Sequence, residues 1–143
     1  MTYSHTEVRS LKIICFGDSL TRGISYVRRL RIIKENYPNS LAKLTESLPF
    51  VEILNKGVFN DNSDLLVSRI EKDVMSENPD IVLIEVGGND CNFHWDEVDK
   101  NPEGDHEPIV PIECYLENVT QHNPFPFNSS ATGSCQILQI HRR

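Results

Sequence analysis

Ile13-Ile14-Cys15-Phe16-Gly17-Asp18-Ser19-Leu20-Thr21 is the stretch that decides how the rest of this 143-residue chain is read. Four apolar residues run into a glycine, an aspartate and a serine, which is the pattern of a buried strand ending in a tight turn. A glycine at the bend lets the backbone approach a neighbour closely. The serine then falls just past the strand end, at the mouth of a helix. Two roles fit a serine there: a nucleophile presented at a sheet edge, or an ordinary helix N-cap. The nine residues alone do not separate them.

Working outward, the same pattern returns twice. Phe50-Val51-Glu52-Ile53-Leu54 reads as a second strand that ends in Asn55-Lys56-Gly57. Ile81-Val82-Leu83-Ile84-Glu85-Val86 reads as a third, ending in Gly87-Gly88-Asn89-Asp90. The third is nearly all apolar, as expected of a parallel strand with helices over both faces. Between the strands, a helix is expected over 36–48, with Pro38 in its first turn and Leu41, Leu44 and Leu48 on one face. A second is expected over 64–77, with Leu66, Ile70 and Val74 at spacing four and Pro79 beyond it. Strand, helix, strand, helix, strand is the signature of an α/β doubly wound sheet. The expected order is 2-1-3, all parallel, because right-handed crossovers from the first strand put the helices on opposite faces.

The remaining segments carry weaker signals. Tyr26 to Lys34 is basic and reads as a solvated face packed through its apolar residues rather than an anion site, given the acidic total. Residues 92–112 hold Pro102, Pro108 and Pro111 and read as a long loop, and 113–120 as the start of a helix. The chain divides into a flexible N-terminal tail (1–10), a partial α/β domain (11–119) and an atypical C-terminal tail (120–143). That tail contains no Asp, Glu or Lys, and only Cys135–Ile140 could form a strand in it. The sheet therefore reads as truncated after about three strands. The neighbour expected beside the third strand is absent or replaced by Cys135–Ile140, and an apolar edge left exposed there favours self-association.

Composition narrows the function classes. A net charge of −7 argues against a nucleic-acid partner. No apolar run reaches membrane-spanning length, so no membrane span is expected. Met1 to Ser10 lacks the apolar core of a signal peptide, which gives a cytoplasmic expectation. The cysteines, Cys15, Cys91, Cys114 and Cys135, form no C-x-x-C pair, so neither a zinc site nor a disulfide framework is expected. Cys15, inside the first strand, reads as a small hydrophobe.

The strand ends place complementary chemistry together. Ser19, Gly57 and Asn89 each lie three residues beyond an apolar run, after Phe16, Leu54 and Val86. With parallel strands, all three share the edge where open α/β sheets bind ligands. A serine hydroxyl can attack a carbonyl. A glycine N–H and an asparagine carboxamide can donate to the oxyanion that forms. Gly17, Asp18, Gly88 and Asp90 read as support for the turns.

Gly17-Asp18-Ser19-Leu20, Gly57 in Asn55-Lys56-Gly57, and Gly87-Gly88-Asn89-Asp90 resemble, in order and spacing, the first three sequence blocks of the GDSL, or SGNH, hydrolases. The resemblance covers roughly residues 11–119. The segment from Asn101 to Glu113 also resembles an insertion found in some bacterial members. The resemblance implies a three-layer flavodoxin-like α/β fold and hydrolysis of small acyl or acetyl esters through an acyl-enzyme. It implies Ser19 as nucleophile. It implies an oxyanion hole of the Ser19 and Gly57 N–H groups with the Asn89 side chain. A small-molecule ester is the implied partner, and no cofactor or metal is implied.

One departure matters. The family's last block, Asp-x-x-His, supplies the base and its orienter, and no Asp-x-x-His occurs in these 143 residues. A shifted reading frame or a chain cut short would produce such a join at the tail. His94, just beyond Asn89, reads as a pocket residue. His106, with Glu103 three residues before it, reads as a solvated loop histidine. His5, His122 and His141 are the weakest candidates for a base. Two alternatives to an impaired esterase stand beside it: a non-catalytic relic, and an α/β module that binds a small ligand. A nucleotide or flavin binder lacks its sequence support, since neither Gly-x-Gly-x-x-Gly nor a Walker loop is present.

Overall fold

A computed structural model describes residues 10–27, 30–33, 35–120 and 135–139. The order of elements is β1 Leu11–Gly17, α1 Ser19–Arg22, β2 Ile24–Val27, β3 Leu30–Ile33, α2 Tyr37–Leu44 and β4 Val51–Gly57. It continues with α3 Ser63–Asp73, β5 Ile81–Glu85, α4 Trp95–Lys100, α5 Ile112–Thr120 and β6 Cys135–Gln139. The sheet order is β4-β1-β5-β6. β1 pairs in parallel with β4 on one side and β5 on the other, so the expected 2-1-3 parallel arrangement is present.

Alternation along β1 sends its side chains to two layers. Ile14 and Phe16 join Val82, Val86, Leu66 and Val74 in one buried cluster, against which Ile70, Tyr115 and Val119 pack. That places α3 and α5 over one face. Cys15, on the opposite face, meets Tyr37 of α2. Helices therefore cover both faces of an α/β sheet, which is why β1 and β5 tolerate almost continuous apolar sequence.

Caps set the helix starts. Asn36 caps α2 by accepting from Asn39 N–H at 2.9 Å, and Asn62 caps α3 by accepting from Leu65 N–H at 3.0 Å. α2 is shorter than expected, and its supposed apolar face is not buried: Leu44 is 81% exposed. The expected second helix is split. α3 ends at Asp73, and a 3₁₀ turn, Met75–Glu77, follows Val74.

Two further differences concern segments the sequence left irregular, and a third observation concerns the outer edge of β5. The backbone of the basic stretch forms an antiparallel hairpin pair, β2 with β3, with Ile24 opposite Ile33. Its β-branched residues supply the strand preference that charge counting overlooks. The expected loop over 92–112 contains α4, which has Asp96 and Glu97 in its first turn and Lys100 in its last, as the helix dipole favours. The edge of β5 is not bare. Cys135–Gln139 pairs with it antiparallel, from Ile81 opposite Gln139 to Glu85 opposite Cys135. His5, His122 and His141 lie outside the described residues, as does most of the C-terminal tail.

Candidate active site

The turn after β1 is built around a short helix. Asp18 caps α1: its carboxylate accepts from Leu20 N–H at 2.8 Å, and its carbonyl accepts from Arg22 N–H at 3.0 Å. Gly23 ends the helix in the left-handed region, at φ 85°. The N-cap role that the sequence left open therefore falls to Asp18. Ser19 is the first helical residue and is half-buried. Its N–H is one of the first-turn donors that a helix leaves unpaired. Among the described residues its hydroxyl has no hydrogen-bond partner.

Two glycines let α1 sit this close to the sheet. A Cβ on Gly17 would collide with Thr21 Oγ1 and the Glu85 carbonyl, and one on Gly57 with the Arg22 backbone N. Beneath the helix runs a buried polar chain. Thr21 Oγ1 donates to Glu85 Oε2 at 3.0 Å and lies 3.4 Å from Tyr37 Oη. Burial pushes the Glu85 and Asp18 carboxyls above the usual range. For Asp18, repulsion from Asp61 and Asp90 adds to burial, while the Leu20 N–H bond opposes both. Burial also raises the Cys15 thiol to about 11, leaving it protonated and unreactive near neutrality.

Asn89 stands on the same sheet edge as Ser19. Its Nδ2 donates to the Asp61 carbonyl at 2.6 Å and lies 3.4 Å from Asp18 Oδ2, on the residue preceding the serine. Asn60, at φ 66°, turns the chain that brings the Asp61 carbonyl there. Asp90 accepts from Ser63 N–H at 2.9 Å, tying the β5 turn to the start of α3. Gly57 is also at this edge, but its N–H donates to Asn55 Oδ1 at 2.9 Å. The equal offsets read from the sequence do not hold. β1 and β4 run on to Gly17 and Gly57, which are level with each other and, for Gly17, with Glu85. Ser19 thus lies two residues past its strand, Gly57 ends its strand, and Asn89 lies four past.

The residue that locks these loops together escaped the sequence reading. Arg69 Nε donates to Asp61 Oδ2 at 2.6 Å, and Nη1 to Asp73 Oδ2 at 2.9 Å and the Lys56 carbonyl at 3.0 Å. Nη2 donates to the Gly17 carbonyl at 3.0 Å. The guanidinium lies 4.3 Å from the centre of the Phe16 ring, a stacked cation–π geometry. One arginine therefore binds the ends of β1 and β4 to the loop that holds Asn89. A signal existed: Arg69 follows Leu66 by three residues, on the inward face of α3.

The histidines sit apart from this cluster. His94 is exposed at the start of α4, where its side chain caps nothing. His106 Nε2 lies 2.6 Å from the Asn101 carbonyl, so the ring nitrogen carries the proton and donates. His106 lines a cavity of about 330 Å³ with Phe93 and Trp95, and His94 does not. A larger cavity, about 440 Å³, lies beside Asn89, lined in part by Gly87, Gly88, Asp90, Cys91, Ile112 and Tyr115. Among the described residues no cluster of His, Cys, Asp and Glu could hold a metal ion, and no helix is long and apolar enough to cross a membrane.

A three-layer sheet with a serine in the turn after its first strand, and Gly-Gly-Asn-Asp after its third, defines the SGNH class of hydrolase fold. The family profile described as GDSL-like lipase/acylhydrolase matches residues 15–127, and the chain belongs to that family. Among solved structures it is similar to the lipase/acylhydrolase from Enterococcus faecalis, with 24% identity and a TM-score of 0.57 over 78% of this chain and 50% of the other. It is also similar to a catalytic mutant of Axe2, an acetylxylan esterase from Geobacillus stearothermophilus. There the identity is 24% and the TM-score 0.55, over 80% of this chain and 54% of the other. The chain thus spans about half the length of these structures. A comparison with curated proteins found no match.

Proposed function

We propose that Ser19 is the nucleophile of an acylhydrolase acting on small acyl or acetyl esters. In this reading Ser19 Oγ attacks the ester carbonyl, the alkoxide leaves, and water releases the acyl group from the serine. The observation that carries it is the Asn89 carboxamide lodged against Asp18, one residue from Ser19, in a chain of this family. One N–H of Asn89 Nδ2 is held by the Asp61 carbonyl; the other faces Asp18 across 3.4 Å, loosely enough to be surrendered to an oxyanion. The free Ser19 N–H is the second donor. For Gly57 to be a third, its N–H must leave Asn55 Oδ1.

The attack also needs a group to take the hydroxyl proton. None of the described residues bonds to Ser19 Oγ, and the sequence has no Asp-x-x-His. We propose accordingly that these 143 residues turn over slowly, near the roughly 10³–10⁴ over water that an oxyanion site sustains without a complete triad. The test is p-nitrophenyl acetate hydrolysis by the wild type, Ser19→Ala and Asn89→Ala. Ser19→Ala is expected to change the slow rate little, because without a base the residual turnover is direct attack by water at the oxyanion site and does not pass through the acyl-enzyme. Asn89→Ala is expected to lower it at least tenfold, given that one oxyanion donor contributes about 10²–10³ in an intact enzyme. Brisk turnover abolished by Ser19→Ala overturns the missing base. A rate indifferent to Asn89→Ala overturns the oxyanion site and favours a ligand-binding module without turnover.

A further inference from the structure

The smaller cavity, about 330 Å³, is lined by Phe93, Trp95, Val98, Gly104, Asp105 and His106. That volume suits a small molecule, for which sites run roughly 300–1,000 Å³. Trp95 is 62% exposed, yet its ring is held in place. Its Nε1–H donates to Asn92 Oδ1 at 2.8 Å, an oxygen that also accepts from Phe93 N–H at 3.0 Å. The Phe93 ring braces the indole in an edge-to-face contact, at 78° with 6.0 Å between ring centres. Across the cavity, the Asn101 carbonyl accepts from Gly104 N–H at 3.0 Å and from His106 Nε2 at 2.6 Å, which closes the loop 101–106. An aromatic ring already fixed in water loses little entropy when a ligand covers it.

The walls select the charge of that ligand. Both ring N–H donors are spent, Trp95 Nε1 on Asn92 and His106 Nε2 on Asn101. What the side chains leave open is the negative face of the indole, the His106 Nδ1 lone pair and the Asp105 carboxylate. Asp105 is exposed and has no hydrogen bond or ion pair among the described residues. The surrounding chain is acidic: Asp96, Glu97, Asp99, Glu103, Asp105 and Glu107 fall within 94–107. Against them stands Lys100, itself 3.7 Å from Asp96. Such a surface attracts cations and repels anions. It does not surround a primary ammonium with the three acceptors that would replace its strong hydration. A quaternary ammonium has no N–H to satisfy, and an aromatic face is what holds it.

We propose that this cavity is a binding site for a quaternary ammonium, with the methylated nitrogen over the Trp95 ring and its charge toward Asp105. A cation within about 6 Å of a ring centre is attracted by the ring quadrupole, and tryptophan is the strongest of the aromatic side chains in this role. The methyl groups gain further affinity by burial against Phe93 and Val98. The site does not depend on the ester-hydrolysis reading, and its test does not use turnover.

Trp95 is the only tryptophan in the sequence, so tryptophan emission from the full chain reads the site directly. The probes are choline, its uncharged isostere dimethylbutanol, in which a carbon replaces the nitrogen, and methyl glucoside. Sodium chloride holds the ionic strength constant across each titration. Choline is expected to change the emission saturably at millimolar concentration. Dimethylbutanol is expected to bind about threefold to thirtyfold more weakly, the factor that cation–π attraction supplies, and methyl glucoside to leave the emission unchanged. Raising the salt should weaken choline and spare dimethylbutanol. Asp105→Asn should weaken choline severalfold and leave dimethylbutanol where it was. Emission unmoved by choline overturns the site. Equal or tighter binding of dimethylbutanol overturns the selection for charge, and a saturable response to methyl glucoside alone makes the cavity a sugar platform instead. Choline binding that ignores Asp105→Asn overturns the placement of the charge against that carboxylate. The wild-type comparison of choline with dimethylbutanol decides the proposal even if Asp105→Asn fails to fold.

Discussion

Replacing Arg69 by methionine probes what holds the candidate site together. Methionine keeps much of the arginine stem over Phe16 and removes the fork. The side chains of Arg69 and Asp61 are only 15% and 8% exposed, so this ion pair is largely out of water. Removing one partner of a buried pair leaves an uncompensated charge and costs about 3–5 kcal/mol. Several terms moderate that here. Asp73, at 24% exposure, can rehydrate. The Gly17 carbonyl keeps its bond from Val58 N–H at 3.0 Å, while the Lys56 carbonyl loses its arginine donor. The expected loss is therefore about 3 kcal/mol, toward the lower end of the buried-pair range. Against a typical stability of roughly 5–15 kcal/mol this is large but survivable. With a urea slope of about 1–3 kcal/mol/M, the midpoint should fall by roughly 1–3 M at unchanged slope. Arg69→Lys, which keeps the charge without the planar fork that reaches four acceptors, should lose about half as much. A loss below about 1 kcal/mol for Arg69→Met would refute the view that this arginine fastens the two strand ends and the Asn89 loop.

Gly17→Ala should cost about 1–3 kcal/mol in urea unfolding, because its methyl meets Thr21 and the Glu85 carbonyl; a neutral result would show that α1 shifts freely. Glu85→Gln keeps an acceptor for Thr21 and removes a carboxyl whose pKa burial has raised. A raised carboxyl binds its proton more tightly when folded, so its cost is present at alkaline pH and disappears as pH falls through the folded pKa. The stability advantage of Glu85→Gln over wild type should therefore be greatest near pH 8 and shrink on acidification, and a pH-independent difference would contradict this. Glu77 has the opposite sign: hydrogen bonds and charge from Lys56, then Lys12, lower its pKa. Its contribution should be present above the ordinary glutamate range, vanish as pH falls through the lowered pKa, and weaken in high salt; Glu77→Gln should then cost stability at pH 7 and progressively less on acidification.

Local sequence determined a good deal of this protein. The apolar runs before Gly17 and Pro79-flanked Ile81–Val86 could only be interior strands, and their helix-spaced partners made a parallel α/β sheet the economical solution. The turns that carry Ser19 and Asn89 were legible because turn chemistry after a strand is a short-range property. Short-range rules failed where the outcome hung on pairing or on shared space. Whether Gly57 offers its N–H outward depended on Asn55, whose carboxamide folds back to it. The equal spacing of the three candidate residues dissolved because strand ends are set by register between β1, β4 and β5, not by where apolar residues stop. The hairpin of β2 and β3, and the antiparallel seat of β6 on β5, are pairings between strands, which no single segment encodes. Arg69 looked like one more surface cation. Only the tertiary structure decided that four of its five N–H donors converge on two carboxylates and two strand-end carbonyls, since a side chain's partners come from elements distant in the chain.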